Sequence, residues 1–149
     1  MHAMDIVTLM MAGLLVGNEL TVSLFINPVM RQLGDESQRQ ALSLFAALLG
    51  RVMPFWYALC LVLFVLEAYL RRGEPASSFL LSASVLWVVI IVWTILVLVP
   101  INNRIAGLTE QTLLKEWLPE HARWERLHRI RILLLLVALA LVTHALVSP

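Results

Sequence analysis

The sequence predicts an all-α fold, an integral membrane four-helix bundle with a short amphipathic helix in its third loop. Three observations carry that expectation. Of the 149 residues, 60% are apolar and 14% charged, against about 45–50% and about 25% in soluble domains, so much of the apolar surface has to face lipid. The apolar residues fall into four runs, and the longer ones reach the roughly 20 residues that an α-helix needs to cross about 30 Å of hydrocarbon. Turn-forming clusters separate the runs: Gly34-Asp35, then Arg71-Arg72-Gly73-Glu74-Pro75, then Pro100-Ile101-Asn102-Asn103-Arg104. A single transmembrane domain over residues 1–149 is expected, with spans at about 6–28, 46–70, 79–101 and 128–147.

The same composition removes several function classes. A formal charge of +1 points to no nucleic acid or other polyanionic partner. The lone Cys60 leaves no disulfide scaffold, CxxC redox centre or thiolate metal cluster on one chain. The partners expected are membrane lipid and an apolar small molecule, and a homo-oligomer is left open.

The first run, Ile6 to Met30, is broken by Asn18 and Glu19 and ends at Asn27-Pro28. With no Lys or Arg in its first five residues it is read as a resident span and not as a cleaved signal peptide. Gly34-Asp35 reads as a turn with an N-cap, followed by a helical pattern from about Glu36 to Leu70. That is longer than a bilayer requires, so its first turns lie at or above the interface, and Pro54 is expected to kink the rest. Phe79 to Ile101 carries no charged residue and is the clearest span. In the third loop, Thr109 to Trp117 reads as a short interfacial helix capped by Thr109, with Pro119 at the first position of the next helix. Ile132 to Val147 supplies only 16 residues. The last span therefore recruits the turn holding His128, Arg129 and Arg131, with the arginines snorkelling to the interface.

Four antiparallel spans place both termini and the Arg71 hairpin on one face and the first and third loops on the other. The second face carries Arg31, Arg39, Arg104, Lys115, Arg123 and Arg126. The excess of positive charge assigns the first and third loops to the cytoplasm and both termini to the outside, in an inner membrane of bacterial type.

The polar residues inside the spans hold the functional information, because an ionisable side chain at the bilayer centre costs about 2.5–3.5 kcal/mol on insertion scales. Glu19, Ser23 and Asn27 recur at i, i+4 and i+8, a stripe expected to face the bundle interior. Glu19 has two readings, a site or proton-carrying residue and a structural hydrogen-bond partner. Arg51 is the expected counter-charge, since helical rise from the first loop brings it roughly level with Glu19; its alternative is snorkelling. Trp124, His128 and Arg131 share one face of the last helix with His121 one turn earlier. His128 is read as a base or as an interfacial hydrogen bonder, and Trp117 and Trp124 as interface anchors.

Simpler readings cover other positions. Glu67 and Arg71 form a local i, i+4 pair. His144 is structural, and Gly13 and Gly17 allow close helix packing. Phe55-Trp56-Tyr57 meets lipid or core, with a cavity wall as the alternative. No HxxxH or HExxH pair is present, so neither a metal nor another cofactor is expected.

Four segments together carry a resemblance. They are Gly17-Asn18-Glu19-Leu20 through Phe25-Ile26-Asn27-Pro28, Gly50-Arg51-Val52-Met53-Pro54-Phe55-Trp56, Val99-Pro100-Ile101-Asn102-Asn103-Arg104, and Trp124-Glu125-Arg126-Leu127-His128-Arg129-Ile130-Arg131. The chain resembles the DUF1772, or anthrone oxygenase-like, membrane proteins over nearly its whole length. The resemblance implies oxidation of an anthrone to an anthraquinone by O2 without flavin or metal. Glu19 or His128 would then be the base, and Arg51 with Asn102 or Asn103 would stabilise the enolate and peroxide. Asn27, Asn102, Asn103, Trp124 and Arg131 would bind substrate. Two other classes stay open: a small proton-coupled exporter using Glu19, and a non-catalytic accessory subunit.

Overall fold

In the computed structural model, which describes residues 3–147, four long helices follow one another: α1 Ala3–Met30, α2 Asp35–Leu70, α3 Pro75–Ala106 and α4 Leu114–Val147. The connections are residues 31–34, 71–74 and 107–113, short enough that consecutive helices run antiparallel. The tightest is Arg71-Arg72-Gly73-Glu74, where Gly73 has φ +92°, a conformation that costs only glycine nothing. Large apolar side chains cover the outside of all four helices, among them Phe25, Phe55 and Leu96. An exterior of that kind is stable only in lipid. Together with four helices long and apolar enough to span, it makes the chain an integral membrane protein.

Trp87 organises the bundle centre. It is fully buried, meets Phe64 edge-on at 5.0 Å and Tyr57 at 5.5 Å, and donates its indole N–H to the Tyr57 carbonyl at 3.0 Å. Ala12, Leu15 and Val16 of α1, Cys60 of α2, Ala83 of α3 and Leu135 and Ala138 of α4 close around it. A second apolar cluster packs toward the first and third loops: Val22, Leu42, Ala46, Leu98, Ile101, Ile105 and Trp117.

At the end away from those loops, Arg71 pairs with Glu67, as the spacing predicts, and also with Asp5 at 2.7 Å. Thr8 donates to Glu67 at 3.3 Å. Asp5, Thr8 and Glu67 are buried, so this network ties the start of α1 to the α2–α3 hairpin. Burial works against the Arg71 charge, but hydrogen bonds and charge from Asp5 and Glu67 more than offset it and hold the group above the ordinary arginine value.

Two helices contain a π-turn, Val22–Ile26 in α1 and Thr94–Leu98 in α3. Each is followed by one residue and then a proline, Asn27-Pro28 and Val99-Pro100. Proline removes an N–H and crowds the preceding turn. The inserted residue relieves that crowding, and the N–H groups of Asn27 and Val99 bond five residues back, to Val22 and Thr94.

Some sequence expectations are corrected here. Residues 109–117 do not form a separate helix, since 107–113 are turns and α4 starts at Leu114. The Glu116 carboxylate reaches back to the Leu113 N–H at 3.2 Å, half of a capping box, and Thr109 and Thr112 bond each other in the preceding turn. Pro119 accordingly lies inside the last helix, which is 34 residues long. Gly34 caps α2 through its backbone with no side-chain bond. The Gly13-Gly17 pair is not a close-packing seam, because a Cβ at either position would meet nothing within 4 Å.

Candidate functional site

The stripe of Glu19, Ser23 and Asn27 is buried, as its spacing requires. Glu19 is 2% exposed and its carboxylate is fully engaged. Tyr57 of α2 donates its hydroxyl to Oε1 at 2.7 Å, and Arg131 of α4 donates Nη2 to Oε2 at 2.7 Å. The guanidinium also lies 5.7 Å from the Tyr57 ring centre. A carboxylate, a guanidinium and a phenol from three helices thus form one neutral cluster, the arrangement that makes intramembrane charge tolerable.

His128 sits one turn before Arg131 and is buried beside the same carboxylate, Nδ1 to Oε2 3.3 Å. A backbone carbonyl only accepts, so Nε2, 3.2 Å from the Glu19 carbonyl, carries a proton. Nδ1 lies between a donor and an acceptor, 3.0 Å from Arg131 Nη2 and 3.3 Å from Glu19 Oε2. With both nitrogens occupied inside the protein, His128 holds Arg131 and the Glu19 backbone in place. Trp124 stacks on the His128 ring at 4.5 Å and 12° and locks its plane.

These groups line one wall of a cavity of about 320 Å³ reached by all four helices. Asn18 and Glu19 come from α1, Met53, Pro54 and Tyr57 from α2, and Thr94, Leu98, Asn102 and Asn103 from α3; Trp124, His128 and Arg131 come from α4. The volume is at the small end of the ~300–1,000 Å³ typical of ligand pockets, and a few convergent polar groups in an apolar wall are the usual composition. Two polar atoms in that wall are buried without a partner, Arg131 Nε and Thr94 Oγ1. Buried donors are normally satisfied, so these two stand out in the wall, and neither atom is itself exposed to the cavity. Thr94 begins the π-turn of α3, and Ser82 and Ser84 earlier in that helix instead spend their hydroxyls on carbonyls four residues back.

Of the expected residues, Glu19, Asn102, Asn103, Trp124, His128 and Arg131 line the cavity, and Arg51 and Asn27 do not. Arg51 is exposed on the outside of α2 and forms no part of the cavity wall; Arg131 takes the role of Glu19's counter-charge. The reason is rotational: Arg51 and Tyr57 are six residues, or about 600° at 100° per residue, apart and face different ways. Arg131 itself does not snorkel but turns into the bundle at 8% exposure. Asn27 is buried but lies outside the cavity wall. Asn102 and Asn103 do line it, and Asn102 also donates to the Ala46 carbonyl at 3.0 Å. Trp117 and Trp124 are buried and are not interface anchors. The sequence reading does not single out Thr94, and it reaches Tyr57 only through the alternative of a cavity wall at Phe55-Trp56-Tyr57. The available signals were a single phenol within the Phe55-Trp56-Tyr57 trio and a single hydroxyl in the second half of the third apolar run.

His121 lies one turn beyond Trp124, stacked on it at 6.1 Å and 11°. It neighbours Glu125, Nε2 to Oε1 3.4 Å, which in turn pairs with the half-exposed Arg31 at 3.3 Å. Trp124 therefore separates two His/Glu pairs, one facing the cavity and one facing the first loop. Among the described residues no three His, Cys, Asp or Glu side chains are grouped to hold a metal ion.

A family model described as anthrone oxygenase matches residues 42–141. The match covers Tyr57, Thr94, Asn102, Trp124, His128 and Arg131, and starts after Glu19 and Asn27. No protein of curated function and no solved structure matches the chain. With two thirds of its residues inside that match, the chain belongs to the anthrone oxygenase family.

Proposed function

We propose that the protein is a membrane oxygenase that uses O2 to convert the methylene carbon of an apolar, anthrone-like ketone into a second carbonyl. The observation that carries this reading is the Glu19–Arg131 ion pair in the wall of an apolar cavity, with Arg131 Nε unpartnered.

Charge balance supports this reading. Removing a proton from carbon creates an enolate, and a new anion in a low-dielectric site is costly unless a cation is already placed for it. Glu19 takes the proton and becomes neutral, while Arg131, released from the carboxylate, turns its Nη2 donor to the enolate oxygen. The site holds one positive and one negative charge before and after the step, so no net charge is buried. Tyr57 and His128 act by position: Tyr57 keeps Glu19 oriented, and His128 holds Arg131.

O2 then adds to the carbanion carbon and takes up its electron pair, forming a C–O bond and a peroxide anion. Glu19 returns its proton to give the hydroperoxide. Loss of the second C–H proton to Glu19, with cleavage of the O–O bond, leaves the ketone, and the departing hydroxide takes that proton as water. In sum, one methylene group and one molecule of O2 become one carbonyl group and one molecule of water, and Glu19 ends as it began.

The reading extends to placement. The first and third loops with their adjoining helix ends, which carry Arg31, Arg39, Arg104, Lys115, Arg123 and Arg126, face the cytoplasm, and both termini face outward, in an inner membrane of bacterial type. The test is stoichiometric. Purified protein in liposomes with anthrone is expected to consume one O2 per anthraquinone formed, above the protein-free rate. Uptake at the protein-free rate would overturn the proposal.

A further inference from the structure

The cavity wall includes residues that also face the outside of the bundle, and they form two facing rows. On α2 they are Gly50, Pro54 and Ala58, and on α3 Ile95, Val99 and Asn103. Each row has i, i+4, i+8 spacing, so each is one edge of its helix. Gly50, Pro54 and Ala58 are all exposed, as are Ile95 and Asn103, and Val99 is partly so. A residue that lines an internal cavity and is exposed outside stands at an opening. The α2 edge carries no side chain larger than a proline ring, which leaves the gap between the helices unfilled over about 12 Å of rise.

Contacts close the gap at both ends. Toward the loops, Asn102 bonds the Ala46 carbonyl, and its Nδ2 would lie 3.3 Å from a Cβ built on Gly50. Toward the bundle centre, Trp87 bonds the Tyr57 carbonyl at 3.0 Å. The opening is therefore a bounded slot in the side of the bundle, apolar along most of its length, with the single amide of Asn103 at its upper corner. Behind it the cavity wall carries Glu19, Tyr57, Thr94 and Arg131.

We infer that the cavity is filled from the bilayer, through the slot between α2 and α3, by a flat apolar molecule that carries an oxygen acceptor. The slot and the polar wall select different parts of the ligand. An apolar gap admits a planar ring system already dissolved in lipid, and the polar wall around Arg131 takes its oxygen. This rests on the reading of the cavity as a ligand site but not on the oxidation assigned to it.

The test uses two photoreactive probes in liposomes holding the full chain: free benzophenone, and a phospholipid with benzophenone at the end of one acyl chain. The tethered probe stays in the leaflet and reaches the cavity only from the side. Cross-links from both probes are expected at Tyr57 and Leu98, which are buried in the cavity wall. Ala58→Phe or Ile95→Phe, one on each edge, is expected to cut labelling by the tethered probe about tenfold, the factor given by 1.4 kcal/mol. Val85→Phe, on a lipid-exposed part of α3 outside the slot, should leave it unchanged. Labelling of Tyr57 and Leu98 by free benzophenone alone would overturn the lateral route while leaving the ligand site standing. Labelling by neither probe would overturn both. Undiminished tethered labelling in both slot variants would place the entrance elsewhere.

Discussion

Arg131 Nη2 lies 2.7 Å from Glu19 Oε2 and 3.0 Å from His128 Nδ1, so one guanidinium nitrogen joins a carboxylate on the first helix to an imidazole on the last. The contact spans 112 residues of sequence and fixes α1 against α4. The same pair is both a structural clasp and the proposed reacting pair, and these roles separate by mutation.

Glu19→Gln leaves Arg131 buried without its counter-charge. Removing one partner of a buried pair costs about 3–5 kcal/mol, whereas neutralising both is far cheaper. Thermal unfolding in detergent should show a large loss of stability for Glu19→Gln and a substantial recovery for the double variant Glu19→Gln with Arg131→Gln. Equal stability of the two variants would count against a strong buried pair.

Tyr57→Phe keeps the ring against Trp87 and removes only the donor to Glu19. A hydrogen bond to a charged group is worth roughly 1.5–3 kcal/mol, and stability should fall by that order. Turnover should fall as well, through kcat more than KM, since the hydroxyl orients the base and does not contact substrate. A change confined to KM would assign Tyr57 to binding.

Arg51→Gln should behave like an ordinary surface change, within about 0.5 kcal/mol of the parent in stability, with anthrone-dependent O2 uptake retained. Loss of turnover in that variant would return Arg51 to the site from which its outward position removes it.

Among the described residues, α1 carries no polar side chain between Thr8 and Asn18. Ala12, Leu15 and Val16 of α1 with Cys60 and Phe64 of α2 fill that interval, and Glu19 lies about 16 Å of helical rise from Thr8. A proton-coupled exporter needs access from both sides. In liposomes, turnover should therefore be insensitive to an imposed transmembrane pH difference of either sign. A rate that follows the gradient would favour the exporter.

Much of this architecture is readable without coordinates, and for physical reasons. Span length and charge depletion define the four helices, because the bilayer imposes one thickness on all of them. The inward stripe of Glu19, Ser23 and Asn27 and the shared face of Trp124, His128 and Arg131 follow from helical spacing. Helical spacing does not give the rotation of one helix against another, which is why spacing alone pairs Arg51 with Glu19 and sends Arg131 to the headgroups. Each π-turn rotates the residues after it by about one extra position relative to an ideal helix. Thr94 reaches the cavity at the start of such a turn, and nothing in the apolar run around it marks the place. The early start of α4 depends on the Glu116 carboxylate meeting the Leu113 N–H, a local bond with only a weak sequence signature.

Oxygen uptake by the folded double variant, Glu19→Gln with Arg131→Gln, tests the central claim most directly, because it removes the proposed base and its counter-ion together without leaving a charge buried alone. Turnover with anthrone at the protein-free rate, from a variant that elutes as the parent does and recovers stability over Glu19→Gln, is the predicted result. Anthraquinone formed at the parent rate by that variant would contradict the assignment of Glu19 and Arg131 to the chemistry.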